Sequence, residues 1–319
     1  MHNLNPISVS PGLPLAASRG FLDIVNEKLH AGRIAPALDE LFDDLQARRE
    51  EDPQDWKSFA VRSVAHPLCT LLHQDPFTYR AFSKPRGYAG DAVMMDYIYR
   101  LGEADFAYRQ ATPLGREIFR YMDGRPSARG VRHRRQLIAH LIDHVAAKGG
   151  DRVLAIASGH LREAELSRAV AQGRLSEFVA FDQDDASLAV VARDYSSMGV
   201  KAVHGSVRQV LARKANPGRF DFVYAAGLFD YLTAPVAAAL TRRMFEMTNP
   251  GGLMLIPNFL TGVSDTGYME TFMNWHLIYR SDDDMRALAA GLPENEVASW
   301  KVFDDPFGAI TYLLVEKTR

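Results

Sequence analysis

From Val153 the chain reads Val-Leu-Ala-Ile-Ala-Ser-Gly-His-Leu-Arg-Glu, an apolar run that ends in small residues at Ala157, Ser158 and Gly159. Small side chains there let a backbone approach a ligand closely. The spaced glycines of a pyrophosphate loop are absent, and no GxxxxGK[ST] occurs in the chain, so a phosphate cradle is disfavoured. Roughly 20 residues further on, as in nucleotide-binding βαβ units, a second apolar run ends in Phe181-Asp182-Gln183-Asp184. An acid at the tip of a second strand can accept both hydroxyls of a ribose. Asp182 is assigned that role, with Gln183 beside it, and Asp184 caps the helix that follows. The combination suggests a nucleoside without its phosphates.

A second group of chemistry-bearing residues precedes the first. In Lys84-Pro85-Arg86-Gly87-Tyr88-Ala89-Gly90-Asp91 the two glycines around Tyr88-Ala89 disfavour a continuous helix. The segment reads as a lid that brings Tyr88 and Asp91 over a cofactor, with Arg86 toward the acceptor; a plain helix connector is the competing reading. A third group lies near the C-terminus. Glu270, Trp275, Tyr279 and Arg280 are spaced for a helix, so Arg280 could bind a carboxylate while the aromatics wall a pocket. Trp275 and Tyr279 also fit an ordinary core. Asn258 and Phe259 face the same crevice. His160 and His276 lack a carboxylate orienter in sequence and read as structural. Arg129, Arg132, Arg134 and Arg135, around His133, read as a solvated helix face, with an anion site as the alternative. No His/Asp/Glu spacing marks a metal centre.

These residues need elements to hold them. The 319-residue chain is 47% hydrophobic and 24% charged, which describes a globular fold of one long domain or two ordinary ones. With 37 Lys+Arg against 39 Asp+Glu the formal charge is −2, so no global field recruits nucleic acid or an anionic membrane. Cys69 is the single cysteine and sits in an apolar run, which excludes an internal disulfide framework and fits a reducing compartment. No run approaches the roughly 18 apolar residues of a membrane helix. Residues 1–20 read as a loose leader and not as a signal peptide, so the expected location is the cytoplasm.

Ile34, Leu38, Leu41, Phe42 and Leu45 form one helical stripe, and similar patterning recurs at 55–72, 92–99, 114–122 and 131–147. Residues 21–148 are therefore expected to be an all-α cap. After Gly149-Gly150 short apolar runs at 153–157, 178–181, 201–204, 221–226 and 253–257 alternate with helical segments, the rhythm of a parallel sheet. Runs at 300–303 and 309–316, joined by Asp304-Asp305-Pro306-Phe307-Gly308, indicate an antiparallel hairpin. An α/β sheet of seven strands over residues 149–319 results.

Taken together, these features resemble a class I S-adenosylmethionine-dependent methyltransferase, a Rossmann-like fold whose seven-stranded sheet ends in such a hairpin. The resemblance implies S-adenosylmethionine as cofactor. Val153 to Leu161 lies where that family has an acidic residue and a Gly-x-Gly-x-Gly turn; only Gly159 is kept, and Ala155 replaces the acid. The resemblance makes Ser206 and Val207 the adenine neighbours, and sets Gly227, Asp230 and Tyr231 beside the transferring methyl. It leaves the lid, through Asp91, to supply the carboxylate lost at Ala155. Pro85-Arg86-Gly87-Tyr88-Ala89-Gly90-Asp91, with the segments at 226–232 and 269–280, is similar to a bacterial subfamily labelled 3-hydroxy-fatty-acid methyl ester biosynthesis proteins. Related architecture serves enzymes that methylate methionine and other small metabolites.

Methyl transfer from a sulfonium needs alignment and exclusion of water before it needs a base. The expected acceptor is a small carboxylate-bearing metabolite, a 3-hydroxy fatty acid or an amino acid such as methionine. Tyr88, Asp230 and Tyr231 are the catalytic candidates. A nucleoside-binding module without turnover, suggested by the eroded glycine turn, and an NAD-type dehydrogenase are the alternatives. The apolar faces of the helical half permit a homodimer.

Overall fold

The computed structural model describes residues 20–319. The leader expected at 1–20 lies, except for Gly20, outside the described residues. The N-terminal part is helical: α1 (Phe21–His30), α2 (Ile34–Glu51), α3 (Pro53–Val64), α4 (Pro67–Leu72), α5 (Pro76–Ser83), α6 (Ala92–Tyr99), α7 (Glu103–Gln110), α8 (Pro113–Asp123) and α9 (Pro126–Ala147). Five of these start with proline in the first turn, where its missing N–H costs nothing. Asp52, Asp75 and Thr112 sit at three of those starts and accept first-turn amides. The patterning at 55–72 therefore resolves into two helices, because Pro67 restarts the chain after Ala65 and His66.

The sheet comprises β1 (Arg152–Ile156), β2 (Glu177–Asp182), β3 (Val200–His204), β4 (Phe220–Tyr224), β5 (Thr248–Phe259), β6 (Val297–Asp304) and β7 (Ile310–Lys317). Between them run α10 (Arg168–Ala171), α11 (Asp185–Tyr195), α12 (Val207–Leu211), α13 (Ala234–Glu246), α14 (Thr266–Phe272) and α15 (Asp282–Ala290). Strand order is β3-β2-β1-β4-β5-β7-β6, parallel through β5 and antiparallel at β5–β7 and β7–β6. This is the Rossmann-like methyltransferase arrangement, with an all-α N-terminal region. The order reverses between β1 and β4, so a crevice opens at their carboxyl ends. Asn249 to Gly252, expected as a turn before β5, lies inside the strand, and a register shift against β4 absorbs it.

Alternate strand residues face opposite sides. Leu154, Ile156, Val223 and Met254 pack under α13 and α15. Val153, Ala155, Phe222 and Tyr224 join one continuous core with the helical region, through residues such as Leu38, Phe42 and Ile142. Buried ions fasten the same junction. Asp265 accepts from Arg125 Nε and Ser127 N, both at 2.8 Å, and Glu270 takes both arms of Arg49 at 3.1 Å and the Trp56 indole at 2.6 Å. Among the described residues no helix is long and apolar enough to cross a membrane.

Candidate active site

The turn after β1 sets the floor of the crevice. Ala157, Gly159 and Leu161 all adopt left-handed backbone, at φ of 52°, 53° and 53°. An L-residue pays about 1–2 kcal/mol for that conformation, so the turn keeps the path of alternating glycines although only Gly159 is one. Its amides are committed locally: Ser158 N to Phe181 O at 3.3 Å, Gly159 N to Asp182 Oδ2 at 2.8 Å, and Leu161 N to Ser158 O at 3.0 Å. Asp182 also accepts from Asp184 N at 2.9 Å, which fixes its carboxylate at the rim of the turn. Asp184 caps α11 through Ala186 N and the Ser187 hydroxyl. Gly205, after β3, is required by contact, since a Cβ there would stand 2.3 Å from the Phe181 ring.

Over this floor lies a cavity of about 390 Å³. Tyr88, Ala157, Ser158, Gly159, Asp182, Gln183, Val207, Gly227, Asp230, Tyr231, Phe259 and Trp275 all line it. Asp230 lies in the short helical turn after β4 and accepts from Phe259 N at 2.6 Å; burial raises its carboxyl above the usual range. Trp275 Nε1 donates to the Tyr231 hydroxyl at 2.9 Å, and Tyr88 meets the Tyr231 ring edge-on at 6.5 Å between centroids. Burial, with Asp182 nearby, pushes the Tyr88 hydroxyl up to about 12, and burial raises that of Tyr231. Tyr88 remains 43% exposed, at the mouth.

The loop that carries Tyr88 is tied down at both ends. Arg86 donates to Asp184 at 3.2 Å and to the Ser187 hydroxyl at 3.3 Å, and stands 3.5 Å from His160 Nε2. Gly90 lets the loop pass the aromatic wall, because a Cβ there would fall 2.4 Å from the Tyr231 hydroxyl and 2.7 Å from Trp275 Cζ2. Asp91 points away from the cavity. It caps α6 through Met94 N at 2.7 Å and pairs with Arg80 at 2.9 Å. Glu163, and not Asp91, is the carboxylate that lines the cavity beside β1 and β4. Its Oε1 accepts from the Tyr224 hydroxyl at 2.6 Å, and Tyr224 pairs with Ala155 in the sheet.

Several expected residues stand outside the cavity because other partners consume their polar groups. Arg280 donates to Phe229 O at 2.7 Å, to Leu232 O at 2.5 Å and to Asn258 Oδ1, so it braces the turn that carries Asp230. Asn258 donates to Phe259 O and Ile278 O, both at 2.9 Å. Glu270 is held by Arg49 and Trp56. Tyr279 packs edge-on against Phe259 with Arg49 over its ring. Ser206 caps α12 in a reciprocal pair with Gln209. Residues 274–280 are extended chain and not the expected helix, which stops at Phe272.

Three cavity residues escaped the sequence reading. His160 Nδ1 lies 2.9 Å from Asp96 Oδ2, so the orienting carboxylate comes from α6, distant in sequence. Glu163 follows in the next turn of chain and carried no signal. Arg134 did carry one: it falls on the buried stripe of α9 with Val131, Ile138 and Val145, so it is not on a solvated face. Among the described residues no group of three or more potential ligands could hold a metal ion.

The β1 turn with its rim carboxylate, the open strand ends and the aromatic wall define a nucleoside-sized crevice on a methyltransferase-type sheet. Neither a protein-family model nor a curated protein matches the sequence. Among solved structures, a protein of Bordetella parapertussis described as a possible exported protein is 12% identical, superposing over 77% of this chain and 96% of its own with a TM-score of 0.53. The S-adenosylmethionine-dependent methyltransferase SibL (15% identity, 94% of this chain, 96% of that one, TM-score 0.49) and the pyocyanin biosynthetic protein PhzM (14%, 87%, 73%, 0.47) are looser likenesses. At these identities the likeness is one of fold, and the fold itself stands on the strand order.

Proposed function

We propose that this chain is an S-adenosylmethionine-dependent methyltransferase of a small carboxylate-bearing metabolite, an amino acid or a 3-hydroxy fatty acid. One observation carries the reading: the left-handed 157–161 turn keeps the shape of a glycine turn, with Asp182 at its rim and the Asp230–Tyr231 turn opposite. Asp182 would hold the ribose hydroxyls, Val207 and Gln183 would flank the base, and Tyr88, Tyr231 and Trp275 would surround the sulfonium with π faces. When bound, S-adenosylmethionine supplies an electrophilic methyl group that an acceptor lone pair displaces in line.

The chain's own contribution is alignment and the exclusion of water. A ready base is not apparent. A Tyr88 hydroxyl at about 12 holds its proton at neutral pH, and the His160 ring is engaged by Asp96 on one side and faces Arg86 on the other. That suits acceptors with a free lone pair, a carboxylate or a thioether, better than an amine or phenol. A dehydrogenase is disfavoured because Gly159 N, the amide a pyrophosphate would need, is spent on Asp182.

Titration of the protein with S-adenosylhomocysteine, NAD and ATP tests the reading. Binding of the first alone is expected, and Asp182→Ala should weaken it roughly 10–100-fold. Binding of NAD in its place would reject the assignment. Nucleoside binding with no turnover on any acceptor would reduce the protein to a binding module.

A further inference from the structure

Arg134 is 4% exposed, lines the cavity, and has no ion-pair partner among the described residues. Its Nε is buried without a hydrogen bond, and Nη2 reaches only the Met95 sulfur at 3.7 Å. Neighbouring arginines are satisfied: Arg132 by Asp123 at 2.9 Å, Arg135 by Glu165 at 2.6 Å, and Arg129 by stacking at 4.1 Å on Phe307. A guanidinium taken out of water without a counter-ion is destabilising, and a planar fork of donors fits a carboxylate. The guanidinium lies beside the end of β4, 3.7 Å from where a Cβ of Gly227 would stand. Glu163, 5% exposed and close enough to feel the charge of Arg134, lines the same cavity.

We propose that Arg134 and Glu163 form a receptor for the zwitterionic head of an α-amino acid, Arg134 taking the carboxylate and Glu163 the ammonium. The cavity thus holds both signs that such a head group needs, on side chains fixed by α9 and by the Tyr224 hydroxyl. Two sources supply that chemistry: the aminoacyl end of S-adenosylmethionine, which rests on the methyltransferase reading, or an amino-acid acceptor. In the first case the pair replaces the acid that Ala155 displaced.

The experiment titrates wild type, Arg134→Met, Arg134→Lys and Glu163→Gln with S-adenosylhomocysteine, with 5′-methylthioadenosine, which lacks the aminoacyl end, and with L-methionine. If the head group is the cofactor's, Arg134→Met weakens S-adenosylhomocysteine on the order of 10–100-fold. Methylthioadenosine then stays within about 3-fold, and Arg134→Lys and Glu163→Gln fall between. If it is the acceptor's, the same variants lose L-methionine and keep S-adenosylhomocysteine. Equal affinities for all three ligands in wild type and Arg134→Met overturn the proposal. So does a variant that loses stability to urea without losing affinity, since that marks a purely structural arginine. A wild type that binds neither nucleoside but binds L-methionine through Arg134 upholds the receptor and sinks the methyltransferase reading.

Discussion

Ala157 and Leu161 occupy backbone that glycine would adopt freely, at φ of 52° and 53°. Leu161 recovers part of the cost by burying its side chain, whereas Ala157 has only a methyl group to offer. Ala157→Gly is therefore expected to stabilise the protein by about 0.5–1 kcal/mol, the strain relieved less the added freedom of the unfolded chain. Urea unfolding measures this as a higher midpoint at constant slope; a lower midpoint would show that the turn is unstrained. The same pair explains why the residue pattern after β1 looked eroded while its backbone is intact. Residue type at 157 and 161 reports side-chain chemistry, but the crevice depends on φ.

The segment from Lys84 to Asp91 is a strap whose ends are fixed by Arg86 on Asp184 and by Asp91 on Arg80. Between them Tyr88 projects to the mouth of the cavity. Being 43% exposed and free of side-chain hydrogen bonds, it contributes little to stability, so Tyr88→Ala should change the unfolding free energy by about 0.5 kcal/mol or less. Turnover should fall about 10-fold or more if the ring screens the reacting groups from water. A rate equal to wild type would return the segment to the plain connector reading. The glycines here were legible because a two-glycine loop cannot continue a helix. The destination of Asp91 was not, because capping α6 and covering a cofactor ask for the same residue type in the same place.

At the scale of the molecule, the helical region and the sheet share one hydrophobic core and two buried ionic ties, Arg125–Asp265 and Arg49–Glu270. Unfolding should be a single cooperative transition. The three tryptophans test it: Trp56 reports the helical region, Trp275 the cavity and Trp300 strand β6. Single-tryptophan variants should give coincident urea midpoints, and an earlier Trp56 transition would show that residues 21–148 melt on their own. Glu270→Ala, which leaves Arg49 without its carboxylate and frees the Trp56 indole, is expected to cost about 3–5 kcal/mol if the site behaves as a buried pair.

By itself the sequence determined the seven strands, their division into parallel units and a closing hairpin, the helical character of the first part, and the rim position of Asp182. Those follow from periodicity and turn chemistry, which are local. Only the tertiary structure decided which polar residues face the cavity. Arg280, Asn258 and Glu270 had the right chemistry and turned to brace the chain, because each found a closer backbone or ionic partner. His160 gained Asp96 from across the fold, and Arg134 was left facing the crevice with no carboxylate of its own. A side chain's role is set by whether its hydrogen bonds are already spent, and that depends on which distant residues the packing brings within 3 Å.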